Sequence, residues 1–490
     1  MDAVQLRVIS GALRAACEEM GAVLVKAAHS ANIKERRDCS CALFDAGGAM
    51  VMQAEHIPVH LGAMPAAVEA IAAARDDGDE RPWVVNDPYA GGTHLPDITV
   101  VTPVIAGGEL LGFAANRAHH ADVGGPTPGS MPADSTTLAD EGVVISPRPL
   151  TDAAIDELVE QMRNPAQRRA DLRAQLAANR TGATRLRELA DKVGAEHLRE
   201  ATGAVQDYAE RRMRACIEAL GDGERTATDV LEAADGDLEV TLTATVAGDA
   251  LTLDFTGSAE QHEGNLNCPL AVTASACLFA VRVLTDPDIP ASAGASRPLT
   301  IVAPEGSLLN ARSPAAVVAG NVETSSRVAD LVLAAFGRAL GQGTMNNVVL
   351  GTEDFTYYET LGGGQGACPD ADGPSAVHVA MSNTLNTPVE ALELEFPLRV
   401  TTYAVRRDSG GAGRHRGGDG VIREYEALCE MELSLLTERR RHAPPGAEGG
   451  EPGAKGRNLL DGEELPSKAR RTLAKGARLR LETPGGGGHG

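Results

Sequence analysis

The first residues repeat apolar side chains at helical spacing. Leu6, Ile9, Leu13, Ala16, Met20 and Leu24 fall on one stripe, which predicts an amphipathic helix over residues 3–28. Its polar face carries both signs of charge, so the stripe faces a core or a partner rather than a membrane. The pattern then becomes strand-like. Residues 39–44 and 49–53 flank an Asp45-Ala46-Gly47-Gly48 turn. Residues 65–75 read as a short helix, and Pro58 argues against a helix through 55–60. Residues 98–105 are rich in β-branched side chains and 110–116 form a second apolar run. Gly107-Gly108 between them has the composition of a tight hairpin turn.

Residues 126–149 are rich in Gly, Pro, Ser and Asp and read as a long loop, a kind of segment that usually serves function. It leaves the open end of the hairpin, as a lid would. Residues 151–220 are strongly helical, with acids and arginines interleaved. After a break at 221–237 come a hairpin (238–246 and 251–255), an Ala-rich helix (270–285) and an amphipathic helix (321–340). Free N–H groups at the start of that last helix are of the kind that hold anions, although most such ends are simply capped. Strands at 347–358, 376–382, 391–405, 421–438 and 477–483 then alternate with Gly-rich turns. The order predicts a mixed, multi-domain α+β chain: a helical N-terminal part with the hairpin (1–225), a mixed middle part (226–345) and a β-rich C-terminal part (346–490).

Composition narrows the function. A net charge of −23 argues against a nucleic-acid binder, which needs a basic face. No apolar run approaches the roughly 20 residues that span a bilayer. The N-terminus lacks the order of a secretory signal. Eight scattered cysteines, without a CxxC pair, fit a reduced, cytoplasmic setting. The chain has no phosphate loop, dinucleotide fingerprint or nucleophile elbow. Its Gly362–Gly364 and Gly485–Gly488 runs lack the lysine and the strand–helix context of a phosphate site.

Chemistry concentrates between residues 86 and 125. The tight turn pairs Pro96 with His119 and Leu95 with His120, so His94-x-x-Asp97 and His119-His120-x-Asp122 meet at the open end of the hairpin. Imidazole and carboxylate without thiolate suit a divalent Mn, Fe or Zn ion with open positions, which would polarise a carbonyl or acidify water. Strand parity sets His94 and His119 on one face and Asp97 and His120 on the other, but Pro96 bends the strand, so parity does not choose the ligands. Gly91-Gly92 and Gly124-Gly125 flank the cluster. His56 and His60 either approach the metal or substrate or play structural parts. Asn265 and Asn267 are weak candidates for binding an amide substrate, with turn and cap formation the blander reading for each.

The stretch NDPYAGGTHLPDITVVTPV with RAHHADVGGPTPGSM resembles the hydantoinase B/oxoprolinase family. So do SANIKERRDCSCALFDAGGAMVMQAEHIPVHLGAMP, GNVETSSRVAD, MSNTLNTPVEALE, RRDSGGAGRHRGGDG, LLTERRRHAPPG and TPGGGG, in order along nearly the whole chain. The resemblance implies an ATP-dependent hydrolase of cyclic amides such as hydantoins, 5-oxoproline or lactams. In it, a separate hydantoinase A-type subunit binds ATP and phosphorylates the substrate, and the B-type chain completes ring opening within a hetero-oligomer. It also implies that His94, Asp97 and His119 hold the metal, manganese foremost with zinc or iron open. His120 and Asp122 would orient those ligands or act as general base. Two alternatives are the metal subunit of an acetone-type ketone carboxylase and a non-catalytic scaffold for the A-type subunit.

Overall fold

A computed structural model describes residues 3–54 and 57–490. The apolar stripe forms α1 (Ala3–Ala27), followed by the single turn α2 (Ala31–Lys34). A six-stranded sheet comes next, built from β1 (Cys39–Asp45), β2 (Met50–Ala54), β3 (Trp83–Val85), β4 (Asp97–Ala106), β5 (Glu109–His119) and β6 (Arg148–Pro149). Their order across the sheet is β2-β1-β5-β4-β3-β6. Both faces are covered. Cys39, Cys41 and Leu43 of β1 join α1 and the long helices in one core. Ala42 and Phe44 join Met64, Val68 and Ile71 of α3 (His60–Ala74) in another. The helix α3 begins two residues after Pro58, so the proline precedes the helix and does not interrupt it there.

The predicted hairpin is β4–β5. Gly107 and Gly108 have φ of 60° and 82°, the left-handed pair a two-residue turn requires. One residue corrects the register. Ala106 pairs with Glu109 and Ile105 with Leu110, but Val104 pairs with Gly112, leaving Leu111 as a bulge. The bulge forms where Gly112 crosses β1, since a Cβ there would lie 2.0 Å from the Phe44 carbonyl oxygen. From that point every partner shifts by one, and Asp97, not Pro96, faces His119.

The loop after the hairpin is no lid. Met131 is fully buried in the largest core cluster, its carbonyl accepts from Ser434 Oγ at 2.6 Å, and Gly129 abuts Val349. Helices α4 (Asp152–Val159), α5 (Pro165–Val193) and α6 (Ala195–Ala219) follow as predicted. The 221–237 break is instead a strand, β7 (Gly223–Glu232). It pairs with β8 (Asp237–Ala247), which pairs with β9 (Ala250–Asp254). Helix α7 (Leu270–Leu284) and the turn α8 (Ala293–Ser296) lead to β10 (Leu299–Val302), which runs parallel to β9. A wide helical turn, Gly320–Thr324, precedes α9 (Ser325–Ala335).

The C-terminal part is a sandwich. One sheet holds β11 (Asn347–Gly351), β12 (Thr356–Glu359), β15 (Met431–Leu436) and β18 (Lys468–Leu473). The other holds β13 (Leu398–Arg406), β14 (Gly420–Ala427), β16 (Arg457–Leu460), β17 (Glu463–Leu465) and β19 (Arg478–Glu482). Val348, Leu350 and Leu433 of one meet Tyr425, Leu479 and Leu481 of the other. Residues 376–382 are not a strand, and the start of the predicted 391–405 strand is a helix, α10 (Val389–Glu395). Beside the sandwich, glycine segments interlock. Gly418 N donates to Gln365 O at 2.8 Å, Gly486 N to Gly418 O at 2.9 Å and Gly411 N to Gly486 O at 2.9 Å. A Cβ on Gly364, Gly418, Gly485 or Gly486 would sit 1.9–2.1 Å from a neighbouring carbonyl oxygen. No described helix is long and apolar enough to cross a membrane.

Candidate metal centre

The register brings Asp97 and His119 together as direct cross-strand partners on the α3 side of the sheet. A turn just before β4, closed by Asp97 N donating to His94 O at 3.1 Å, folds His94 onto the same point. His94 Nδ1 lies 3.1 Å from Asp97 Oδ2, and His119 Nδ1 lies 3.2 Å from Asp97 Oδ1. All three side chains are buried, and their ligand atoms fall within 4.8 Å of one another. Nε2 of His94 and Nε2 of His119 are buried without a hydrogen-bond partner. Buried polar atoms are normally paired. Orphaned imidazole nitrogens beside a carboxylate are the donor set a divalent cation takes, so these residues fit a metal.

Other residues hold the three in place. Thr93 Oγ1 donates to Asp97 Oδ2 at 2.6 Å. His60, the first residue of α3, shares a 2.9 Å bond between Nδ1 and Ser40 Oγ and sets Nε2 3.5 Å from Asp97 Oδ2. His60 therefore backs the cluster. His56 lies outside the described residues. Tyr358 of β12 stacks on His119 with ring centroids 4.6 Å apart, and its hydroxyl donates to Asn347 Oδ1 at 2.8 Å. On Asp97, burial opposes ionisation, but His94, His119 and His60 outweigh it and hold the carboxyl well below its usual range. Burial lowers the His119 pKa against the pull of Asp97, which favours the neutral imidazole a metal needs.

Two expected catalytic residues stand elsewhere. His120 follows His119 on the strand's path and turns to the opposite side, where Nε2 meets Gln175 Oε1 of α5 at 3.0 Å. Burial pushes its pKa down to about 4. Asp122 accepts from the backbone N–H groups of Gly124 (2.7 Å), Gly129 (2.8 Å) and Arg163 (3.2 Å), and from Arg163 Nη1 (3.2 Å). It shapes the loop, with each carboxylate oxygen accepting two of these bonds. Asn265 and Asn267 are corrected too. Asn265 Nδ2 donates to Pro132 O and Ser135 Oγ, and Asn267 closes its own turn through His262, Gly264 and Ala316. The Asn267 amide and the Asn265 N–H groups are spent inside the fold.

The cavity over the cluster is bordered by Asn321 and Thr384, from the stretches GNVETSSRVAD and MSNTLNTPVEALE, and by Tyr358 and Thr360, which the sequence did not single out. They reach it from the 320 turn, β12 and the 381–384 segment, so no local spacing signals them. Asn321 Oδ1 is buried without a partner. The cavity is narrow, with about 20 Å³ open to the centres of water-sized molecules.

Known proteins share this arrangement of chain. A 5-oxoprolinase of Dictyostelium discoideum is 38% identical over the whole chain, although the chain spans only 40% of that protein's length. The B-type component of a putative D-/L-hydantoinase from a Pseudomonas species is 31% identical, covering all of this chain and 90% of its own. The crystal structure of an ATP-dependent caprolactamase from Pseudomonas jessenii superposes with a TM-score of 0.92 at 28% identity, over 100% of this chain and 91% of that one. The model of the hydantoinase B/oxoprolinase family matches residues 2–490, and the chain belongs to that family.

Proposed function

We propose that the chain is the B-type component of an ATP-dependent amidohydrolase. It completes the opening of a cyclic amide (a hydantoin, 5-oxoproline or a lactam) that an A-type partner has phosphorylated. The observation that carries this reading is the convergence of His94, Asp97 and His119, with two imidazole nitrogens left orphaned beside a narrow cavity. When bound there, a divalent ion (manganese foremost, zinc or iron as alternatives) supplies Lewis acidity and a more acidic water.

The chain's own residues do the rest. His94, Asp97 and His119 hold the ion, and Thr93 and His60 fix the Asp97 carboxylate. Tyr358 fixes the His119 ring by stacking. Asn321 offers its unpartnered Oδ1 to a ring N–H, and the Thr360 and Thr384 hydroxyls, bonded to each other at 2.6 Å and to Arg36 Nη2, leave one O–H for a carbonyl. An unactivated lactam resists hydrolysis, and phosphorylation of its oxygen supplies a leaving group. The sequence carries no phosphate loop, so the reading assigns ATP to the partner. A ring is larger than the present opening, so admission requires the cavity to widen.

The complex co-purified with its A-type partner is to be assayed on hydantoin, 5-oxoproline, a lactam, and acetone with bicarbonate. Ring opening coupled to ATP hydrolysis is expected, and carboxylation of acetone in its place would overturn the assignment. His94→Ala is expected to remove bound metal and turnover while leaving the complex assembled. Undiminished product from that variant would favour a scaffold.

A further inference from the structure

A second cavity, of about 660 Å³, opens between the end of β7, the 440–441 segment and the β16–β17 hairpin. It shares no bordering residue with the cavity over Asp97. In a chain of net charge −23, its walls carry six cations: Arg406, Arg440, Arg441, Lys455, Arg457 and Lys468. Only Glu232 and Glu464 oppose them from the same walls.

Three of the six are answered within the fold. Lys468 pairs with Glu438, Arg457 with Glu464 at 2.7 Å and Arg441 with Asp237 at 2.6 Å. Of the other three, only Arg406 meets a carboxylate, and that pair is long. The Arg440 guanidinium donates to neutral acceptors, Asn458 Oδ1 at 2.6 Å, Asn346 Oδ1 at 2.9 Å and the Glu438 carbonyl at 2.6 Å, while its backbone N–H donates to Glu232 Oε2 at 3.1 Å. Arg406 Nη1 is held by the carbonyls of Lys455 (2.7 Å) and Thr483 (3.0 Å), and its nearest carboxylate, Glu482, stands 3.7 Å from Nη2. Lys455 is exposed and makes no ion pair among the described residues. Burial, with Arg406 adding to it, pushes the Arg440 pKa down to about 10 despite the pull of Glu323, Glu232 and Glu438. An anion in the cavity would relieve that cost.

We propose that this cavity is a second ligand site, for a phosphate-bearing small molecule whose phosphate is gripped by Arg406, Arg440 and Lys455. The Nε and Nη2 N–H groups of Arg406 and one Nη2 N–H of Arg440 lie outside the hydrogen bonds to neutral acceptors, and with the Lys455 ammonium they are the donors a tetrahedral anion would meet. Ala233, Ala454, Leu465 and Pro466 complete the walls with apolar surface for an organic portion. The volume falls within the roughly 300–1,000 Å³ of small-molecule sites. The arginines belong to stretches, RRDSGGAGRHRGGDG and LLTERRRHAPPG, that the metal centre does not use.

The test is calorimetric titration of the full chain at constant ionic strength, with inorganic phosphate in one arm and AMP in the other. Saturable binding is expected in at least one arm. Tighter binding of AMP would identify a phosphate ester and equal binding would identify free phosphate. Arg440→Gln is expected to weaken binding about tenfold or more. Lys455→Gln, an exposed change that leaves the fold intact, is expected to weaken it several-fold. Arg173→Gln on the exposed face of α5 is expected to change nothing. Absence of saturable binding in both arms, or equal affinity in wild type and Lys455→Gln, would overturn the proposal.

Discussion

Asp97 makes four contacts at once, to Thr93, His94, His119 and His60. A carboxylate held on so many sides loses little freedom when a cation arrives. Removing one supporting contact is expected to weaken the metal without abolishing it. His60→Ala is expected to lower metal affinity by about 10–100-fold, measured by competition with a chelator, while Asp97→Ala leaves no stoichiometric metal. His120→Ala tests the opposite assignment. It should retain full metal stoichiometry and lose about 1–3 kcal/mol of stability in denaturant unfolding, since its ring serves Gln175 and not the cluster. His94, Asp97 and His119 were legible because two short motifs lie on one hairpin. Tyr358 and Thr360 were not, because only long-range packing carries them to the cavity. Asn267 took the blander of its two readings, a turn, whereas the Asn265 amide reaches the distant Pro132 and Ser135, a contact no local spacing signals.

The hairpin shows what an element adds. Its strands and its glycine turn were legible from β-branched runs and Gly107-Gly108, and its register was not. The shift of one residue comes from Leu111 and Gly112, whose reason lies on β1. A slip of one residue exchanges the faces of a strand. The bulge therefore puts Asp97 beside His119 and leaves His120 alone on the other side. Deletion of Leu111 removes the bulge yet leaves Asp97 opposite His119, so elemental analysis is expected to find the metal retained while far-UV circular dichroism changes little. Strand β7 was missed for a related reason. Most of its residues are exposed or half-buried, and the polar sequence GERTATDVLE resembles a linker until β8 pairs with it.

At the scale of the molecule, one core joins what the sequence divides. Ile57, Leu231, Leu253, Val349 and Leu436, drawn from all three predicted parts, belong to a single cluster. Residues 226–345 expressed alone are therefore expected to give no cooperative thermal transition. The same interior holds carboxyls against their solvation. Burial raises Glu141 to about 8 and Glu323 to about 8. Above about pH 7 the unfolded chain has released these protons and its histidines are already neutral. The folded chain keeps the two protons until about pH 8, so stability falls as pH rises through that window. The unfolding temperature of wild type is expected to drop by on the order of 1–3 °C more than that of Glu141→Gln between pH 6.5 and 8.5.

The glycine segments beside the sandwich interlock backbone to backbone, with Gly486 bonded to both Gly411 and Gly418. Translation reaches Gly486 long after it has made Gly364 and Gly418. Until then the earlier glycines present unmet amides and carbonyls to whatever is near them. The seam therefore cannot close until Gly486 has been made, and a chain released or stalled before that point leaves Gly411 and Gly418 without the partner it supplies.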